Sequence, residues 1–223
     1  MMEDEATNIL LKIHNELIIN HGNKNDEYPE QLMSVMSINP DDCVLEIGGN
    51  IGRNSCVIGK ILNDSRKLLV IESDPNSVSM LEDNRKINSL NFAIEGSAIS
   101  KVPLIQNQWI TKPIIFNETI PENWKIINTI SWNDLKNKYN MNFNVLVADC
   151  EGALYYILKE EPNFLDGIET IIIENDFTDL NHKKFVDEEF LRYNLTQVYR
   201  KSGGFEPCFS MFYEVWKKKC MIQ

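Results

Sequence analysis

The stretch Val44-Leu-Glu-Ile-Gly-Gly-Asn-Ile-Gly-Arg-Asn-Ser55 decides how the rest of the chain is read. A short apolar run meets glycines at 48, 49 and 52 and then an amphipathic segment, the pattern of strand, tight turn and helix. Its spacing is not G-x-G-x-x-G, because Asn50 stands at the second glycine position, and it is not G-x-x-x-x-G-K-[ST]. Backbone can close on a ligand here without either phosphate fingerprint. Glu46 points the same way: an acid at the strand end repels a polyphosphate and suits a ligand with a cationic amino group.

Outward from this turn, strand and helix patterns alternate. Apolar runs at Cys43–Ile47, Leu68–Ile71, Phe92–Glu95, Asn144–Ala148 and Thr170–Glu174 predict five strands. Helices are predicted through Leu62, to about Asn88, and from Gly152 to Lys159. Strands apolar on both faces between helices predict a parallel sheet covered on both sides. Between residues 97 and 142 the alternation lapses. Lys101–Ile105, Ile114–Phe116 and Lys125–Ile130 read as short strands of a hairpin beside the main sheet, with a helix at Trp132–Lys138. The tail, Leu195–Lys201 and Ser210–Trp216, alternates like an antiparallel pair joined around Gly203 and Gly204. Ahead of the first strand, Ala6–Ile19 is an amphipathic helix and a second begins near Pro29. The expectation is one α/β Rossmann-like domain over 1–223, with a mostly parallel seven-stranded sheet, helices on both faces and a C-terminal antiparallel hairpin. Residues 1–40 form its helical lead-in, and 41–217 its core, with the inserted hairpin at about 97–130.

A formal net charge of −11 argues against a nucleic-acid partner, which needs a basic face. No apolar run is long enough for a bilayer, and the acidic start, Met-Met-Glu-Asp-Glu, is unlike a signal peptide. Five cysteines without a C-x-x-C pair or zinc spacing read as reduced thiols, so a cytoplasmic location is expected. The oligomeric state stays open, a homodimer included.

In doubly wound sheets, ligands lie beyond the carboxyl ends of the strands. Here those ends carry Glu46 and the glycine turn, Glu72-Ser-Asp-Pro75, Asp149-Cys-Glu-Gly152, and Glu174-Asn-Asp176. Glu72 follows the turn by the spacing of an acid that holds a ribose diol. S-adenosylmethionine offers an amino-acid tail, a ribose and a sulfonium, and no phosphate. The three motifs, in this order, resemble those of FkbM-type S-adenosylmethionine-dependent methyltransferases over about residues 27 to 217. That resemblance implies a class I methyltransferase fold. It also implies that Glu46, Gly48, Gly49, Asn50 and Gly52 wrap the amino-acid portion, and that Glu72 with Ser73 holds the ribose. Ser97 and Ala98 would flank the adenine, and Glu30 would approach the same pocket. The chain departs from the family pattern at Gly49, where alanine is usual, and at Ser73-Asp74, where proline is.

Members of that family transfer methyl to hydroxyl oxygen, commonly on sugars or polyketide-like products, so a small hydroxylated acceptor, a sugar or glycan, is expected. An alcohol needs a base or a metal near neutral pH. Asp149 is the leading base, Glu151 orients it or takes the proton itself, and His182, in the loop after the fifth strand, is a third candidate. A metal version uses Asp149, Glu174 and Asp176 as hard oxygen ligands for Mg²⁺, ranked below the metal-free one. Both readings compete with a plainer one, in which Asp149 and Glu151 only stabilise a helix N-terminus. Trp109, Trp124 and Trp132 either line the acceptor pocket or pack. A NAD-dependent oxidoreductase, an inactive cofactor-binding module, and a lipid or protein acceptor are the alternatives.

Overall fold

The computed structural model describes residues 2–114 and 119–219. Two helices lead in, α1 (Glu3–Glu16) and α2 (Tyr28–Ser37), the second with a proline in its first turn. Then follow β1 (Val44–Ile47), α3 (Arg53–Ile61), β2 (Leu68–Ile71), α4 (Pro75–Ile87) and β3 (Ala93–Glu95). The middle segment holds β4 (Ala98–Ile99), β5 (Leu104–Asn107), β6 (Ile110–Pro113), β7 (Lys125–Ile127), β8 (Thr129–Ile130) and α5 (Trp132–Tyr139). The remainder is β9 (Val145–Ala148), α6 (Ala153–Glu160), β10 (Thr170–Glu174), α7 (Leu180–Arg192), β11 (Leu195–Lys201) and β12 (Tyr213–Lys218).

Seven strands form one sheet in the order β11-β12-β10-β9-β1-β2-β3. The five from β10 to β3 run parallel, and β12 pairs antiparallel with both β10 and β11. This is the expected mostly parallel sheet ending in an antiparallel hairpin. The order reverses between β1 and β9, which opens a crevice at their carboxyl ends.

Strand alternation divides the core in two. Leu45, Ile47, Leu69, Ile71, Leu146 and Ile171 face one layer, with Trp132, Phe164 and Phe190. Val44, Leu68, Val70, Val145 and Ile172 face the other, against Leu10, Met33 and Ile58 of α1–α3. Glu46, between Leu45 and Ile47, therefore points into the second layer, where it is 3% exposed.

Two expectations change. The middle segment is a three-stranded antiparallel sheet, β6-β5-β7, plus a two-stranded parallel pair, β4-β8. Its second strand lies at Ile110–Pro113, whose sequence alternates no apolar face, rather than at 114–116, of which 115 and 116 lie outside the described residues. The segment after β10, expected as a loop, forms α7, capped by Asp179, whose carboxylate accepts the Asn181 N–H at 2.8 Å.

Candidate functional site

A cavity of about 420 Å³ opens at the carboxyl ends of β1, β2 and β9, within the usual range for small-molecule sites. Its walls include Gly48, Asn50, Glu72, Ala98, Asp149 and Tyr156, and the β5–β6 hairpin closes it with Gln106, Trp109 and Lys112.

The glycine turn is built by close approach. Gly48 has φ 89°, and a Cβ there would lie 1.5 Å from the Asp149 carbonyl oxygen, so only glycine lets the β1 and β9 ends meet. At Gly49 a Cβ would lie 2.1 Å from Val70 Cγ1. The departure from the family's alanine is thus matched by the valine beneath it. Gly52 (φ 88°) caps α3, and a Cβ there would meet Leu81 Cδ1 at 2.3 Å. Its role is packing of the turn on α4; it does not line the cavity.

The turn's amides are committed within the protein. Gly48 and Gly49 N–H donate to the Ile71 carbonyl at 3.0 and 3.1 Å, and Gly52 N–H to Gly49 at 2.8 Å. Asn50, left-handed at φ 47°, donates its N–H to Glu72 Oε2 at 2.8 Å. The other oxygen of Glu72 accepts the Asp74 N–H, also at 2.8 Å. The Glu72 carboxyl is therefore fixed at the cavity wall by two backbone donors. Burial raises its pKa while both donors oppose the rise. Ser73 and Asp74 line the cavity beside it, and Ser73 Oγ bonds Gln106 Oε1 at 3.2 Å, tying β2 to the hairpin.

Asp149, half-buried, leaves β9 into the cavity. Burial, then the charge of Asp176, holds its carboxyl well above the usual carboxylate range. Glu151 is exposed, left-handed at φ 51°, and on the same wall, its pKa raised by burial. Neither caps α6. That helix begins at Gly152 (φ 77°) with no cap of its own, and Asp176 Oδ1 accepts the Gly152 N–H at 2.7 Å. Burial raises Asp176 to about 7.

The structure also redistributes the other predicted residues. Ala98 lines the cavity, but Ser97 does not. His182 sits in the first turn of α7 with its ring stacked on Tyr155, centroids 3.6 Å apart, and lies outside the cavity wall. Of the predicted metal set, Asp149 and Glu174 converge with Glu30; Asp176 lies outside that group, its Oδ1 accepting the Gly152 N–H and its Oδ2 without a partner. Glu30 and Glu46 face the sheet side behind the turn rather than the main cavity. Trp109 lines the cavity, Trp132 packs in the core on Phe164, and Trp124 lies under the Lys112 ammonium at 4.6 Å. Sequence reading missed Tyr156 and the hairpin residues Gln106 and Lys112. An i, i+3 position on α6 relative to Ala153 was the available signal for Tyr156.

Several solved structures of the same architecture are known or proposed methyltransferases. A ribosomal protein L11 methylase from Lactobacillus delbrueckii subsp. bulgaricus superposes with TM-score 0.54 at 11% identity, over 90% of this chain and 82% of that one. Streptococcus pneumoniae Sp1610, a proposed tRNA (m1A22) methyltransferase in complex with S-adenosyl-L-methionine, gives 0.50 at 12%, over 86% and 73%. An rRNA methylase from Streptococcus thermophilus gives 0.50 at 7%, over 89% and 98%. The chain has the class I methyltransferase fold. No family model and no curated protein sequence matches it.

The site fits the cofactor of that fold class. The glycine cradle that a Cβ would fill lies beside a carboxyl pinned by two amides, in a cavity of suitable volume. No helix among the described residues is long and apolar enough to cross a membrane.

Proposed function

We propose that the chain is an S-adenosylmethionine-dependent O-methyltransferase of the FkbM type, acting on a hydroxyl of a small acceptor, a sugar or glycan. The observation that carries this reading is the fixed Glu72 carboxyl at the cavity wall, opposite a turn whose amides at 48, 49, 50 and 52 are all bonded internally. A ribose diol finds its acceptor there, and the fixed carboxyl repels the pyrophosphate of a dinucleotide, which disfavours a dinucleotide oxidoreductase. The bound cofactor would supply an electrophilic methyl on a sulfonium.

The chain's own residues divide the remaining work. Gly48 and Asn50 shape the wall for the amino-acid portion, Glu72 with Ser73 receives the ribose, and Ala98 flanks the base. Asp149 takes the acceptor's proton, since it leaves the end of β9 into the main cavity where the acceptor hydroxyl would lie. Glu151 lies beside it, at the exposed mouth. Trp109 and Tyr156 present aromatic faces to an acceptor ring at that mouth. A net charge of −11 supports a small acceptor over a nucleic acid.

A methyl-transfer screen over nucleotide sugars and short glycans, read by mass, tests the assignment. Transfer to a hydroxylated acceptor is expected. Asp149→Asn is expected to lower turnover about 10²–10⁴-fold, the span of general-base catalysis, while cofactor affinity changes far less. Normal turnover in that variant removes Asp149 as the base.

A further inference from the structure

Behind the glycine turn lies a second, much smaller cavity of about 10 Å³, bounded by Glu27, Glu30, Glu46, Asp149, Glu174 and the backbone of Gly48 and Gly49. Carboxylate oxygens of Glu30, Asp149 and Glu174 all lie within 4.8 Å of one another. They arrive from α2, the end of β9 and the end of β10, so tertiary structure brings them together rather than a local run of acids. Among the described residues, no lysine, arginine or histidine forms an ion pair with any of the three. Arg53, the guanidinium on this face, is committed to Glu27 and Asp26.

The surroundings give a second, independent sign. Glu46, outside the trio and 3% exposed, lines the same cavity; its Oε1 accepts the Asn54 side-chain N–H at 3.1 Å, and its Oε2 has no partner. Glu30 is 6% exposed, and its Oε2 is likewise unpartnered. Buried carboxylates without donors cost several kcal/mol each unless a proton or a cation meets them. The cavity holds about one water-sized atom, too small for an organic ammonium or a hydrated ion. Anionic oxygen donors select a hard metal. Oxygens this close can bind one Ca²⁺ together, since two ligands at about 2.4 Å lie at most about 4.8 Å apart.

We propose that Glu30, Asp149 and Glu174 ligate one hard divalent cation, with Glu46 Oε2 beside it. Asp149 lines both cavities, so an ion on its inner oxygen would hold the outer one oriented toward the main cavity. The ion site stands independently of the methyl-transfer reading, because its test needs neither cofactor nor acceptor.

The test strips the full-length protein with EDTA and titrates it with Mn²⁺, read by electron paramagnetic resonance, then with Ca²⁺ as competitor. One Mn²⁺ per chain is expected at micromolar affinity, displaced by Ca²⁺, with a rise of several degrees in Tm. Glu30→Gln and Glu174→Gln are expected to weaken Mn²⁺ at least tenfold. In EDTA both should melt no lower than wild type, a control that excludes misfolding, because each removes an acid from a crowded cluster without ion pairs. Asp176→Asn should bind Mn²⁺ as wild type does. Absence of stoichiometric Mn²⁺ below millimolar concentration overturns the site. So does an affinity that survives both glutamine variants, or one that Asp176→Asn removes equally.

Discussion

Two acid-lined walls meet at the glycine turn, and they are built differently. On the cavity side, Glu72 accepts backbone N–H groups from Asn50 and Asp74 and is fixed in place. On the inner side, Glu30, Glu46, Asp149 and Glu174 crowd together with few donors, two of them leaving an oxygen unpartnered. A carboxyl satisfied by amides keeps its remaining lone pairs oriented for a ligand. Carboxyl oxygens left without a donor must instead meet a proton or a cation. Burial has raised Glu46 to about 8, and burial, then the neighbouring Glu30 carboxyl and the charge of Asp149, holds Glu174 far above the carboxylate range.

The largest expected effect separates the two walls by pH. The folded state holds a proton on Glu46 that the unfolded chain releases above 4.5. Stability in EDTA is therefore full below that value and falls as pH rises through about 8. Glu46 alone contributes a slope of up to roughly 1.4 kcal/mol per pH unit across the window. Denaturant midpoints from pH 5 to 8 should fall in wild type and fall less steeply in Glu46→Gln, since Asp149 and Glu174 keep their own share of the slope. Stability that rises over this range would mean the inner acids are charged and satisfied, erasing the contrast.

A smaller effect probes the partition itself. Gly49→Ala puts a methyl against Val70 and should cost about 1–3 kcal/mol, the usual cost of overpacking. Adding Val70→Ala should recover part of that loss. A double variant as unstable as the sum of the two single ones shows that the turn's fit does not depend on this contact.

Much of this was legible in the sequence because it depends on local pattern. Alternating apolar runs gave the parallel strands to within a residue or two, and Thr170–Glu174 to the residue. The carboxyl ends of those strands then pointed to Glu72 and Asp149, since topology places them at the crevice. What escaped depends on distant partners. Glu30 and Glu174 are 144 positions apart and meet only because α2 packs beside β10. Asp176 reads as a ligand until Gly152 is seen to need it as a cap. His182 reads as a base in a loop because nothing in Asp179-Leu-Asn-His182 announces its stacking on Tyr155. The hairpin strand Ile110–Pro113 is mostly exposed, so no hydrophobic alternation marks it.

The central claim is that Glu72 anchors a phosphate-free nucleoside cofactor. Calorimetric titration of wild type and Glu72→Gln with S-adenosylmethionine, and of wild type with NAD, tests it most directly. The account predicts one S-adenosylmethionine per chain at micromolar affinity, no NAD binding, and a loss of about tenfold or more in Glu72→Gln, the scale of a hydrogen bond to a charged group. No S-adenosylmethionine binding, binding of NAD, or an unchanged affinity in Glu72→Gln would contradict it.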